Sequence, residues 1–253
     1  MTGRPIALVT GGWRRIGAAI AAGLARAGHD LVLHAHHPRS FDADLAARLN
    51  GLGATVWPLS ADLGDMAAAE ALVGQATALA GRAPVVLVNC ASAFVDDGPM
   101  TFDAAGLDRH FRINTFAPLI LTRAFAQALG DAEGSVVQIL DQRVTNPVPD
   151  QISYTLSKQA LHASVRTLAR ALAPRVRVNA VAPGLTLPTD DYAADQWARL
   201  ADLMPLDRLS APEDIAGAVV HLVGARATTG ITLFVDGGAH LESYARDFVY
   251  LAR

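Results

Sequence analysis

The 253-residue sequence has one cysteine, Cys90, and one lysine, Lys158. It has no apolar run near the ~18 residues that a membrane-crossing helix needs. A single thiol excludes a disulfide framework and a cysteine-based zinc site, and it fits a reducing compartment. A surplus of one charge is missing too: 21 Lys+Arg against 24 Asp+Glu give a net charge of −3. That balance excludes a basic nucleic-acid binder and an acidic disordered tail. The opening MTGRPIALVTGG lacks the apolar stretch and cleavage site of a signal peptide. Repeats of roughly 20–50 residues, linkers and low-complexity tracts are also missing. A soluble, cytoplasmic protein with no membrane or nucleic-acid partner is expected.

What is present is an apolar chain, 51% hydrophobic, of a size that buries roughly 70–75% of its unfolded surface. Short apolar runs alternate with helical patterns from end to end. Ile6–Thr10, Leu31–His34, Thr55–Leu59, Val85–Asn89, Val136–Leu140, Arg177–Val181 and Thr232–Val235 read as strands. Several lack in/out alternation, as strands covered on both faces do. Ile16–Ala27, Ala43–Leu52, Met66–Ala80, Asn114–Leu129, Ile152–Leu172 and Pro212–Gly224 read as helices, with Gly, Asp and Pro at the joints. This alternation predicts an α/β fold, a Rossmann-like doubly wound parallel sheet of about seven strands with helices on both faces. Residues 1–253 are expected to form one domain. Residues 185–209, irregular and rich in Pro and Asp around a short helical piece, are expected to act as a substrate lid.

Between the first strand and first helix stands Thr10-Gly11-Gly12-Trp13-Arg14-Arg15-Ile16-Gly17. Glycines there let the backbone approach a pyrophosphate, and the helix start offers free N–H groups and a positive dipole end. Arg14 and Arg15 add two planar guanidinium forks that suit phosphate. The second strand runs into His34-Ala35-His36-His37-Pro38-Arg39-Ser40, with no acid before Asp42 to hold a ribose diol. Arg39, Ser40, His36 and His37 point instead to the 2′-phosphate of NADPH. A histidine metal site and a merely solvated loop are the rival readings, and the first lacks a clear carboxylate or cysteine partner.

Tyr154-Thr155-Leu156-Ser157-Lys158 places the tyrosine and the only lysine one helical turn apart on one face. A free phenol has a pKa of ~10. A neighbouring ammonium favours its ionised form, and a compact ammonium reaches both a phenol and ribose hydroxyls where a guanidinium does not.

These motifs resemble the short-chain dehydrogenases/reductases, whose phosphate turn reads T-G-x-x-x-G-x-G and whose catalytic helix carries Y-x-x-x-K. Two departures are specific. Arg15 replaces the middle glycine, and Asp141 stands where the family commonly has Ser, thirteen residues before Tyr154. With the His-Arg-Ser loop and Ser92-Ala93-Phe94, they resemble the pteridine reductases and bacterial dihydromonapterin reductases over nearly the whole chain, through Pro183-Gly184-Leu185 and Val235-Asp236-Gly237-Gly238.

The resemblance implies NADPH as cofactor and, as its binding set, Gly11, Arg14, Arg15, Ile16, Gly17, His36, His37, Arg39, Ser40, Asp62, Leu63, Asn89, Ala91, Tyr154, Lys158, Pro183, Gly184 and Thr186. Within it Asp62 contacts the adenine, or caps the following segment as well. Asn89 braces the strand ends and Ala91 lies near the ribose. Asn114, with a helix-interior polar residue as its plain alternative, holds a water linking Lys158 to solvent. Ser92, Phe94, Arg15, Asp141 and Tyr154 bind a pterin, Phe94 by stacking unless it is ordinary loop packing, with Asp141 and Tyr154 relaying a proton. A carboxylate accepts hydrogen bonds from an aminopyrimidine, whereas a hydroxyl better polarises a ketone. A homotetramer is implied as well. Cys90 replaces the family's second Asn and reads as buried filler, and no metal is expected. The tail 239–253 is expected to cover a neighbouring subunit or the site mouth. The competing activities are reduction of a ketone, a 3-oxoacyl compound or a non-pterin imine, and silent NADPH binding.

Overall fold

In the computed structural model residues 3–189, 192–193 and 195–252 are described. Alternate side chains of strand β1 (Ile6–Thr10) enter different cores: Ile6 and Leu8 belong to one apolar cluster, Ala7 and Val9 to another. A strand with both faces covered needs no polar alternation. Around it lie β2 (Asp30–Ala35), β3 (Val56–Ser60), β4 (Val86–Asn89), β5 (Gly134–Ile139), β6 (Val176–Pro183) and β7 (Thr232–Val235). All pair in parallel, in the order β3-β2-β1-β4-β5-β6-β7. The seven strand runs expected from sequence are all present, with ends shifted by up to two residues.

On one face, α1 (Arg15–Arg26) and α8 (Pro212–Gly224) pack Ile20, Leu24, Val219 and Leu222 onto the sheet, with α2 (Ala43–Gly51) adding Leu45 and Leu49. On the other, α3 (Met66–Ala80) and α5 (Ala117–Ala128) bury Leu72, Leu121 and Phe125, beside α6 (Ile152–Leu172) with Ala169. Asp42 and Asp65 cap α2 and α3, accepting from the backbone N–H of Leu45 and Ala67 at 2.9 Å each.

Two helices differ from the sequence reading. The expected helix Asn114–Leu129 is preceded by α4 (Ala104–Phe111), and the two are joined by a π-turn over Arg112–Phe116. Asn114 therefore sits in a π-turn rather than a regular helix interior. The extra residue per turn directs Asn114 and Thr115 at α6, where Thr115 Oγ1 donates to the Ser157 carbonyl at 2.8 Å. The expected lid carries α7 (Gln196–Ala201); residues 190, 191 and 194 of that lid lie outside the described residues.

The strand order reverses between β1 and β4, so the C-terminal strand ends open a crevice there. The tail folds back over this end. Phe248 joins Leu200, Met204 and Ala239 in a separate apolar cluster with Leu185, Tyr192 and Tyr244. No helix among the described residues is long and apolar enough to cross a membrane.

Candidate active site

A cleft of about 1310 Å³ occupies the crevice and reaches from the phosphate turn to the tail. At its β1 end, Gly17 has no room for a side chain: a Cβ there would lie 2.1 Å from the Gly11 carbonyl oxygen. Arg15 holds φ at +53°, the left-handed region a glycine would enter without strain. The backbone thus keeps a glycine-like conformation while presenting a guanidinium to the cleft. Helix α1 starts with no side-chain cap and no acid in its first turn. Its first N–H groups and positive dipole end therefore suit an anion. Thr10 Oγ1 accepts from the N–H groups of Cys90 and Ala91 at 3.0 Å each, tying the end of β1 to the segment after β4.

Gly11, Arg14, Arg15, Ile16, Gly17, His36, Ser40, Asp62, Leu63, Ala91, Pro183, Gly184 and Thr186 line the cleft, and Arg39 lines an adjoining pocket that shares Trp13, Arg14 and Ser40. Two expected cofactor residues lie outside both. His37 stacks against the His36 ring, with centroids 4.0 Å apart. Asn89 is buried and donates to Gln138 Oε1 at 3.0 Å, bracing β4 against β5. His36 Nδ1 lies 3.5 Å from Asp62 Oδ1, a carboxylate neighbour the sequence reading did not find. Among the described residues no cluster of His, Cys, Asp or Glu is arranged to hold a metal ion. His34 was not singled out from sequence, yet its ring bridges the site: Nδ1 accepts from the Gly11 N–H at 3.3 Å and Nε2 donates to the Ala61 carbonyl at 3.0 Å.

At the other end, Tyr154 Oη donates to Asp141 Oδ2 at 2.9 Å. Asp141 leaves β5 in extended conformation, and its Oδ1 accepts from the Arg143 N–H at 2.9 Å, which starts a 3-10 turn and fixes the carboxylate. Lys158 Nζ donates to the Ile139 carbonyl at 2.9 Å and lies 5.8 Å from the Tyr154 ring centre. Phe94 meets the Tyr154 ring edge-on at 4.9 Å and is 53% exposed, so its face is free for a flat ligand. Ser92 lines the same end.

Asn114 makes its side-chain hydrogen bonds to the Ser92–Ala93 segment and to α6. Its Oδ1 accepts from Ala93 N–H at 2.8 Å and Ser92 Oγ at 3.1 Å, while Nδ2 donates to the Ala93 carbonyl and to Ser157 Oγ. The side chain clamps the Ser92–Phe94 segment to α6.

Burial, and then the negative charge of Asp141, push the Tyr154 phenol well above its usual value, with the Arg143 guanidinium opposing them in part. The direction is opposite to the lowering expected from a neighbouring ammonium, and the phenol is a proton donor at neutral pH. Burial pulls Lys158 down to about 8, partly offset by Asp141. Burial likewise pushes the Cys90 thiol up to about 11, which leaves it unreactive at neutral pH.

Sequence reasoning missed His110 and Arg143, and it expected the tail to cover a neighbouring subunit or the site mouth without naming the residues that do so. His110 is buried beside Tyr154, accepts from Val95 N–H at 3.1 Å and donates to the Gly106 carbonyl at 2.7 Å. Arg143 is buried with its guanidinium 5.7 Å from the Tyr154 ring centre. Burial opposes its charge, but Asp141 and Asp247 outweigh that and raise its pKa. Asp247, Phe248, Val249 and Tyr250 line the cleft. A signal existed only for Arg143, as a basic residue two places after Asp141.

A family model described as enoyl-(acyl carrier protein) reductase matches residues 12–240. Pteridine reductase 1 of Leishmania tarentolae is 31% identical over 94% of this chain and 96% of its own length. L-xylulose reductase of Caenorhabditis elegans is 30% identical over 91% and 94%. The crystal structure of FolM alternative dihydrofolate reductase 1 from Brucella canis, complexed with NADP, is 40% identical, with a TM-score of 0.86 over 94% of this chain and 95% of that one. With the turn, the tyrosine and the lysine assembled at one crevice, the chain belongs to the short-chain dehydrogenase/reductase family of oxidoreductases.

Proposed function

We propose that this protein is an NADPH-dependent reductase of a C=N bond in a dihydropterin. The observation that carries the reading is the 2.9 Å hydrogen bond from Tyr154 Oη to Asp141 Oδ2 inside the cleft. It places a carboxylate where a ketone-reducing relative would offer a hydroxyl. That carboxylate accepts from the ring N–H and amino donors of a pterin, and it competes poorly for the oxygen of a ketone. The relatives named for pteridine and dihydrofolate reduction support the same substrate class.

The residues at the β1 end fit the cofactor. Free N–H groups at the start of α1 and the backbone space at Gly17 would hold its pyrophosphate. Arg14, Arg39 and Ser40 around the adjoining pocket would hold the 2′-phosphate. Asp62 and Leu63 would face the adenine, Ala91 the nearer ribose, and Pro183, Gly184 and Thr186 the nicotinamide end. Solved relatives complexed with NADP or NADPH support this choice. When bound, NADPH supplies the hydride.

The chain's own residues supply the rest. Phe94 offers a stacking face and Ser92 a hydroxyl at the pterin edge. Asp141 orients the substrate and the Tyr154 phenol together. Tyr154 delivers its proton to the substrate nitrogen, and the resulting phenolate faces the positive charges of Lys158 and Arg143, 5.8 and 5.7 Å from the ring centre. Residues 185–209 and the tail would close over the site and exclude water. A homotetramer assembled through α5 and α6 is part of this reading, supported by the exposed Phe116 and Leu156 beside or on those helices.

The test is loss of NADPH absorbance with dihydromonapterin and dihydrobiopterin. Turnover is expected, and Tyr154→Phe should reduce kcat by at least about 10²-fold. Tight NADPH binding without turnover of either pterin would overturn the reading.

A further inference from the structure

Three side chains converge on the buried guanidinium of Arg143. Its Nη2 is ion-paired with Asp247 Oδ2, its Nη1 donates to Gln151 Oε1, and its Nε lies 3.7 Å from Asp141 Oδ1. Its own backbone N–H donates to that same Asp141 oxygen at 2.9 Å.

The two outer supports are themselves fixed. Gln151 sits in the left-handed region at φ +49° and spends its amide N–H on Asp96 Oδ1 at 3.2 Å. Asp247 is held three ways: its N–H donates to Asp150 Oδ2 at 2.7 Å, its Oδ1 accepts from Val249 N–H at 3.0 Å, and its Oδ2 takes the guanidinium. Arg246 pairs with both oxygens of Asp150 at 2.9 Å, so that anchor is fixed as well. Further out, Gln196 of α7 donates to the Val249 and Leu251 carbonyls at 3.0 and 2.7 Å. The tail is therefore a built wall of the cleft.

We propose that Asp247, a tail residue, is a positioning residue for the proton-handling pair: it locks the Arg143 guanidinium, and Arg143 in turn sets the orientation of the Asp141 carboxylate that receives the Tyr154 hydroxyl. This rests on the reaction assigned above. A planar guanidinium held at its two Nη corners has a fixed position for Nε, which here lies at ion-pair distance, 3.7 Å, from Asp141 Oδ1. Without Asp247, the fork is free to rotate or to pair fully with Asp141, which would turn the carboxylate away from the phenol. A simple stabilising ion pair would change the melting temperature and leave the chemical step alone. A positioning pair changes kcat, because misplacing a reacting group by about 1 Å costs up to about 10²-fold.

The test compares the wild type with Asp247→Asn, Asp247→Glu and the double variant Arg143→Gln/Asp247→Asn, each with dihydromonapterin and with phenanthrenequinone as acceptor. NADPH binding, read from cofactor fluorescence, should match the wild type in all of them and reports intact folding. For Asp247→Asn we expect kcat to fall about 10- to 100-fold with KM for NADPH unchanged. Asp247→Glu should recover part of it. The double variant removes both charges of the Arg143–Asp247 pair, so it keeps the test valid if Asp247→Asn fails to fold; its kcat should also be low. A wild-type kcat in either variant overturns the proposal and leaves the pterin assignment standing. Turnover of the quinone alone overturns the pterin assignment, and the same comparison on that acceptor still decides the role of Asp247. No turnover of either acceptor overturns both.

Discussion

Twenty of the 21 basic residues are arginine, and the lone lysine is buried beside the reacting phenol, 3% exposed. Burial lowers its pKa from 10.5 to about 8, so its charge opposes folding. Below about pH 8 Lys158 is protonated in both states and the folded state bears the burial cost. Between about pH 8 and 10.5 the unfolded chain binds more protons, so stability rises with pH over that window. The shift corresponds to roughly 3 kcal/mol, reduced by ~1 for the hydrogen bond to the Ile139 carbonyl. Lys158→Met should therefore raise the Tm at neutral pH by about 4–8 °C, with activity lost. Thermal melts should show the gain shrinking as the pH approaches 10.5. A variant less stable than the wild type at neutral pH would contradict this account. The tyrosine, the lysine and Asp141 were legible in sequence because one helical turn and one strand end fix their places. The direction of the phenol's shift was not, because it depends on how deeply the ring is buried and on the Asp141 charge that faces it.

The elements differed in how plainly sequence announced them. Strands covered on both faces show as unbroken apolar runs, and β1, β4 and β7 were read to within a residue. Helix α4 was missed although its residues are amphipathic, because it is only eight residues long and runs without a break into the π-turn and α5. A further mark is Asp103, which caps it by accepting from Gly106 N–H at 2.7 Å. The π-turn at Asn114 has no sequence mark, since it follows from packing against α6. The turn after β2 carries its own prediction. Arg39 flanks the pocket assigned to the 2′-phosphate, and a hydrogen bond to a charged group is worth ~1.5–3 kcal/mol. Arg39→Ala should raise KM for NADPH by at least about tenfold and leave KM for NADH unchanged. Equal effects on both cofactors would remove Arg39 from that role.

Across the whole molecule, the sequence located the crevice and named the tail as a possible cover, but not the contacts that hold it there. The tail lacks periodicity, and its placement depends on contacts such as Asp247 with Arg143 and Gln196 with three tail carbonyls, all far apart in the chain. Phe248, 4% exposed, is the apolar anchor of that closure. Phe248→Ala should destabilise the protein by about 3 kcal/mol, a Tm loss of about 6–12 °C in a chain of this size. An unchanged melt would mean the tail does not pack as described. The central claim is that the carboxylate at position 141, bonded to Tyr154, suits the site to a pterin rather than a ketone. The most direct measurement is kcat/KM for dihydromonapterin and for phenanthrenequinone in the wild type and in Asp141→Ser. The account predicts that the pterin-to-quinone ratio falls by about 10²-fold or more in the variant, with quinone turnover retained. An unchanged ratio, both activities falling together or neither falling, would contradict it.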